Sequence, residues 1–321
     1  SVLGRVNYSL MDRYLFSAAL RADGSSKFAK NNKWAYFPSA AIAWRVSEES
    51  FLKEVDFVSN LKIRLSYGQT GNQAISPYGS LSRISGVKYP FGGNPELGFA
   101  MNSDGLGNDN LSWETTTQYN VGLDMGFFDN RLTLTMDLYR KNTESLLQSV
   151  SLPPSTGYLR RRDNIGSMRN EGLEITLNAV PVQNKNFSWD MGFNISFNRN
   201  KVLSLGNGVQ NQTVNDVSAL IKPFMLVVGQ PIGNIYAMKE LGIYQTEQEV
   251  IDHGIYTSPD MIKFAVGEVK YQDTNQNEGE KGILNDNDRV VVGNSNPDFI
   301  FGLSQTFRYK QFDLSFLIQG V

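Results

Sequence analysis

The stretch from Trp113 to Leu147 limits the possible folds more than any other. Before a turn at Phe128–Asn130, the residues Tyr119, Val121, Leu123, Met125 and Phe127 fall on one face. Gln118, Asn120, Gly122, Asp124 and Gly126 fall on the other. After the turn, Leu132, Leu134, Met136 and Leu138 alternate with Thr133, Thr135, Asp137 and Tyr139. A period of two predicts strands of a sheet with one apolar face. The short connection with Asp129 and Asn130 predicts an antiparallel hairpin. The apolar face runs up each strand from the turn and then becomes polar at Thr115, Thr117, Arg140, Asn142 and Glu144. A tilted strand needs about 9–11 residues to cross a bilayer, whereas soluble strands are usually about 5–6 residues long. A spanning hairpin and a sandwich hairpin both fit this stretch alone.

The rest of the chain repeats the theme. Strands are predicted at about Val2–Leu10, Tyr14–Asp23, Tyr36–Val46 and Leu61–Tyr67, then at 168–180 and 187–198. A last hairpin turns at Tyr309–Gln311. Ser47 and the acidic pair Glu48 and Glu49 predict a short helix over 47–55, and a second is expected near Glu247–Asp252. Residues 68–111 are rich in glycine, asparagine, serine and proline and predict one long loop. Counted in order, the connections between about ten strands alternate between short and long. Outer-membrane barrels have short periplasmic turns and long extracellular loops, while Greek-key sandwiches have no reason to keep this parity. Tyr14, Trp44, Phe127, Phe128 and Phe187 collect near the short turns, as an interfacial girdle would. The predicted fold class is therefore all-β: part of an antiparallel transmembrane barrel.

Composition narrows the function. A formal net charge of −2 supplies no basic excess for nucleic acid. There is no cysteine and a single histidine, His253, so thiolate sites and multi-histidine metal sites are excluded. No serine has a histidine–aspartate partner set and no acid pair stands out, so no enzyme chemistry is expected. No apolar run approaches the length of a transmembrane helix, which says nothing against a barrel. The chain opens and closes within strand pattern, so a fragment of a longer protein is expected.

The region 267–299 is the most distinctive. Gly267, Tyr271, Asp273, Asn275, Asp288, Arg289, Gly293, Asn294, Pro297, Asp298 and Phe299 occur in an order that resembles the SusC/RagA group of TonB-dependent outer-membrane transporters. The blocks Ser66–Asn72, Leu111–Thr115, Gly126–Leu132, Asn164–Gly166 and Asn170–Glu174 agree, so the resemblance spans almost the whole chain. It implies that residues 1–321 are part of one receptor barrel domain, with about ten strands of a 22-stranded, plugged barrel. Residues 201–298 are then a long extracellular loop region. It further implies import of glycan oligomers, or of peptides, across the bacterial outer membrane, against whose lipid the wall stands. A SusD-like surface lipoprotein is the expected partner. The TonB complex would act through a plug that, like the signal peptide, is expected to lie outside these residues. A passive porin or structural barrel and a soluble β-rich binding protein are the alternatives.

Two further features invite a ligand. Asp273, Asn275, Asn277 and Asp288 form a candidate calcium loop, since carboxylate and amide oxygens suit a hard cation. Asn277 and Asn285 stand where carboxylates are expected, and Glu278–Lys281 lengthen the loop, so a plain turn competes with an ion site. Arg160, Arg161 and Arg162 offer charge to an anion or to solvent. Tyr78, Tyr89, Phe91 and Phe99 offer rings for sugar stacking or for packing within the loop.

Overall fold

The computed structural model describes residues 1–91, 94–101, 105–206, 208–213, 223–275 and 277–321. Its first strands are β1 (Val2–Leu10), β2 (Tyr14–Gly24), β3 (Trp34–Arg45) and β4 (Val58–Asn72). A separate hairpin follows, β5 (Ile84–Phe91) with β6 (Asn94–Met101). Then come β7 (Glu114–Phe127), β8 (Leu132–Glu144), the small hairpin β9 (Leu147–Ser151) and β10 (Arg160–Asn164), and the long pair β11 (Ser167–Gln183) and β12 (Phe187–Ser204). The stretch after β12 holds β13 (Asn211–Thr213), β14 (Met225–Val227), β15 (Asn234–Ala237) and β16 (Glu240–Ile243). It continues with α1 (Glu247–His253), α2 (Pro259–Ala265), β17 (Val269–Tyr271) and β18 (Val290–Asn294). The chain ends with β19 (Ile300–Tyr309) and β20 (Phe312–Gly320).

Ten of these strands form one antiparallel sheet in the order β1-β2-β3-β4-β7-β8-β11-β12-β19-β20. The parity of the connections holds with one exception: residues 46–57, which join β3 to β4 at the tight-turn end, outnumber residues 25–33, which join β2 to β3. Tight turns join β1 to β2, β7 to β8, β11 to β12 and β19 to β20 at one end. The connections at the other end are the 25–33 segment, the stretches that hold the β5–β6 and β9–β10 hairpins, and the stretch that follows β12. The short turns use left-handed backbone: φ is 53° at Met11 and Asp12, and 53°, 54° and 59° at Phe128, Asp129 and Asn130. Non-glycine residues adopt this region at a cost of about 1–2 kcal/mol each, and Asp and Asn tolerate it best. Gly126 lies close beside that turn: a Cβ there would fall 2.1 Å from Asn130 Oδ1 and the Asn130 side chain would have to move.

The expected strands are present, several of them longer than the sequence pattern suggests. β7, β8, β11 and β12 have 14, 13, 17 and 18 residues, so each exceeds a bilayer crossing and extends beyond it. Three expectations need correction. Residues 68–111 are not one loop: β4 continues to Asn72, and β5 and β6 pair within the segment. The helix over 47–55 is a single 3₁₀ turn, Val46–Glu48, without a Ser47 cap. Its failure has a cause. Glu49 is extended (φ −75°, ψ 146°), and its carboxylate accepts from Tyr14 Oη at 2.7 Å, Trp44 Nε1 at 3.0 Å and Arg13 Nη1 at 3.0 Å. Three tertiary bonds outweigh a few residues of helix propensity. Finally, Trp113, expected with Glu144 at the extracellular rim, lies at that end of the sheet but is not exposed. It is buried with Phe28, Phe37, Ile75 and Leu111 in a small core at the long-connection end of the sheet.

Residues Gln210–Pro297 form a second compact unit. Its core is Tyr244, Val250 and Ala265, with Tyr256 and Ile262 packed against it. The helix near 247 is present, capped by Thr246, which accepts from the Glu249 N–H. The wall strand β12 takes residues 201–204 out of the expected loop region.

Candidate functional site

Strand register turns the alternation into two continuous surfaces. On one face, Leu10, Tyr14, Trp44, Ile63, Leu123, Met136, Ile175, Ile195 and Phe301 line up across nine strands. The neighbouring row is Tyr8, Phe16, Ile42, Leu65, Val121, Leu138, Leu173 and Phe197. Leu65, Val121 and Leu138 are 50%, 49% and 58% exposed. An apolar surface spanning a whole sheet would be prohibitive in water and is what a lipid-facing wall needs. Toward the tight turns it ends in stacked rings: Tyr14 on Trp44 (6.4 Å between centroids), Phe57 on Phe127 (6.3 Å) and Trp189 on Phe307 (5.6 Å). Glu49 lies just beyond that girdle. The hydrogen bonds from Tyr14 and Trp44 hold its carboxyl below the usual carboxylate range. Toward the long connections the apolar face ends in a polar row, Arg140, Glu171 and Arg199, with Arg140 bonded to Glu171 and Arg199 to Asp298, both at 2.9 Å.

The opposite face is polar. Its centre is an ionic cluster on β4, β7 and β8. Arg64 donates from Nε and Nη2 to both oxygens of Asp124 at 2.9 Å, and from Nη2 to Asp137 at 3.0 Å. Lys62 reaches Asp124 at 2.9 Å, and Asn120 donates to Asp137 at 3.0 Å. Gly122 makes room for it: a Cβ there would lie 2.5 Å from the guanidinium carbon of Arg64. The bidentate fork fixes the geometry and not charge alone. This cluster was hidden in the sequence, because Arg64, Asp124 and Asp137 are far apart in the chain and only register brings them together.

The candidate calcium loop folds as a turn in which acidic side chains accept backbone N–H groups. Asp288 is fully buried, and its carboxylate accepts the N–H groups of Thr274 and Asn275 at 2.9 Å and of Asn285 at 2.8 Å. Those bonds hold its carboxyl below the usual range. Asp273 Oδ2 accepts the Gly282 N–H at 2.7 Å, and Asn275 Oδ1 accepts the Asn277 N–H at 3.2 Å. The structure therefore brings Asp273, Asn275 and Asp288 together and turns both Asp288 oxygens, Asp273 Oδ2 and Asn275 Oδ1 onto backbone donors, with Asn277 exposed. Calcium asks for six to eight oxygen ligands. Among the described residues no group of three acidic or imidazole side chains could hold a metal.

Arg160, Arg161 and Arg162 lie on β10 and, with Arg83 and Ser149, line a cavity of about 190 Å³, where Asp163 bonds Arg161 at 2.6 Å. Tyr78 is exposed, with φ 61°. The side chains of Tyr89, Phe91 and Phe99 lie outside the described residues. His253 is half-buried: its Nδ1 bonds the hydroxyl of buried Tyr244, and burial pushes its pKa below the ordinary 6.5.

A family model described as "TonB dependent receptor-like, beta-barrel" matches residues 1–281. The chain belongs to the TonB-dependent receptor β-barrel family. Relatives agree. TonB-dependent receptor P3 of Formosa agariphila is 38% identical over 100% of this chain and 31% of its own length. TonB-dependent receptor SusC of Bacteroides thetaiotaomicron is 35% identical over 100% of this chain and 31% of its own. The chain thus spans under a third of these relatives. In fold it is similar to a chain of the RagAB peptide transporter, with a TM-score of 0.81 and 24% identity over 99% of this chain and 32% of that one. The expected SusC/RagA-type barrel wall and its outer-membrane location hold.

Proposed function

We propose that this wall belongs to an active importer of oligomeric nutrients, glycans in the first place, working with a SusD-like surface lipoprotein and driven by TonB through a plug domain. The wall does no covalent chemistry in this reading. Its apolar face holds it in lipid, its polar face lines the passage, and residues 210–297 and the β5–β6 and β9–β10 hairpins stand outside to meet ligand and lipoprotein. The observation that carries the reading is the pairing of one sheet-wide apolar surface with an opposite face built on the Arg64–Asp124–Asp137 cluster. A peptide cargo is the second reading, favoured by the fold likeness to the RagAB peptide transporter.

Uptake of fluorescently labelled oligosaccharides and peptides by cells carrying the full receptor, with and without its lipoprotein and a protonophore, tests this. The expected result is oligosaccharide uptake that needs both the lipoprotein and the proton gradient. Uptake indifferent to the protonophore would establish a passive pore instead.

A further inference from the structure

The outer face carries a groove that a lipid-facing wall does not need. It has a volume of about 630 Å³, and Val121, Leu138, Leu173 and Phe197 supply its apolar sides at the top of the hydrocarbon-facing band. Arg140 and Arg199 close it at the end nearer the long connections. The Phe197 ring leans toward Phe299, with 6.1 Å between centroids, and forms one side. Above the groove the register sets out two polar rows. Glu171 sits between Arg140 and Arg199, and in the next row Arg169 sits between Asn142 and Lys201.

Charge in these two rows is unbalanced. Glu171 answers Arg140 and Asp298 answers Arg199. Arg169 donates to the amide oxygen of Asn142 at 3.0 Å, and neither it nor Lys201 has a carboxylate partner among the described residues. In these two rows four cations thus face Glu171, with Asp298 beyond β12 and Glu144 one row further on as the neighbouring carboxylates. Cations at this level meet lipid headgroups. An arginine fork binds phosphate well, and its stem can lie along apolar surface while the head stays in the polar layer.

We propose that this groove binds one phosphorylated lipid of the leaflet at the long-connection end. An acyl chain lies between Leu138, Leu173 and Phe197, and the phosphate sits on Arg169 and Lys201 with Arg140 and Arg199 beside it. The proposal rests on the orientation adopted for the importer but not on its cargo or energy source, so loss of uptake and loss of lipid are separate outcomes.

The test uses the full receptor in phosphatidylcholine nanodiscs doped with bisphosphorylated lipid A, or with the same lipid dephosphorylated. Native mass spectrometry after detergent release reads the lipid retained. The wild type is expected to keep about one phosphorylated lipid through washes that remove the dephosphorylated one. R169Q/K201Q leaves both ion pairs in place and should lower retention at least tenfold with no change in melting temperature. L173W fills the groove without changing charge and should lower it as well. Equal retention by wild type and R169Q/K201Q, or equal retention of both lipids by the wild type, overturns the proposal. So does displacement of the lipid by free inorganic phosphate, which would mark a simple ion site.

Discussion

Consider an arginine placed at Ile175 and, separately, at Thr176. These neighbours on β11 point to opposite faces. Ile175 lies between Met136 and Ile195 in the apolar row, while Thr176 lies between Thr135 and Asn194 on the polar face. From the polar row at Glu171 to Ala179 is about 27 Å along the strand at about 3.4 Å per residue. A tilt of about 40–45° reduces this to a height of about 20 Å, with Ile175 near its middle. Arginine on the lipid face costs about 2–4 kcal/mol at the midplane and about 0–1 near the interface. I175R should therefore lower the folding equilibrium in bilayers by roughly 30- to 900-fold. L173R, one step from the ion-paired row, should cost about 1 kcal/mol, and T176R should be near neutral. Asp124 would be a poor polar-face control, since Arg64 grips it with two bonds. Denaturant titration of the full receptor in phosphatidylcholine vesicles, followed by tryptophan fluorescence, gives the three numbers. A T176R loss as large as that of I175R, or an L173R loss exceeding it, would refute the assignment of faces.

Four other outcomes follow from the same structure. R64Q should destabilise the wall by about 1–2 kcal/mol, because the pairs it breaks are only half-buried. G122A, by displacing the same guanidinium, should add little on top of R64Q in a double-mutant cycle, and full additivity would break the link. D288N places amide hydrogens against buried backbone donors and should destabilise the 210–297 unit by about 2–3 kcal/mol. A calcium chelator should leave the wild-type melting temperature unchanged, and a calcium-dependent rise that disappears in D273A would instead establish an ion site. His253 is the single histidine, so its ring proton signal should titrate alone. Burial lowers its folded pKa below 6.5, so the unfolded chain binds the proton more readily. Stability of the unit should therefore be full above pH 6.5 and fall as the pH drops below it; a midpoint at or above 6.5 would contradict this.

The wall was legible because its rule is simple. One face meets hydrocarbon and the other water, so every second residue reports its side, and Val2–Leu10 could be bounded to the residue. The turn at Phe128–Asn130 announced itself through Asp129 and Asn130, which tolerate the left-handed backbone found there. What failed had long-range causes. Glu49 left the expected helix for Tyr14 and Trp44, partners 35 and 5 residues away. Trp113 lies at the expected rim, but Phe28 and Phe37 close over it. The β9–β10 hairpin was masked by Pro153 and Pro154, which sit between its strands rather than interrupting one. The Asp273–Asp288 loop was open to two readings in the sequence, a turn and an ion site. Residues that ligate hard cations are also those that cap turns, and only the hydrogen-bond directions separate the two uses.

The ten-stranded register has a consequence for how such a chain can diversify. β12 and β19 are direct neighbours, Phe187 opposite Tyr309 through Ser196 opposite Ile300, although residues 210–297 lie between them in sequence. The wall asks of that segment only that its ends return to adjacent strands. It can lengthen, shrink or be exchanged for a relative's version without moving a single pairing in the sheet. Anchorage and the recognition proposed for 210–297 are thus separable parts, and a chimaera that swaps this segment should keep the pairing of β12 with β19.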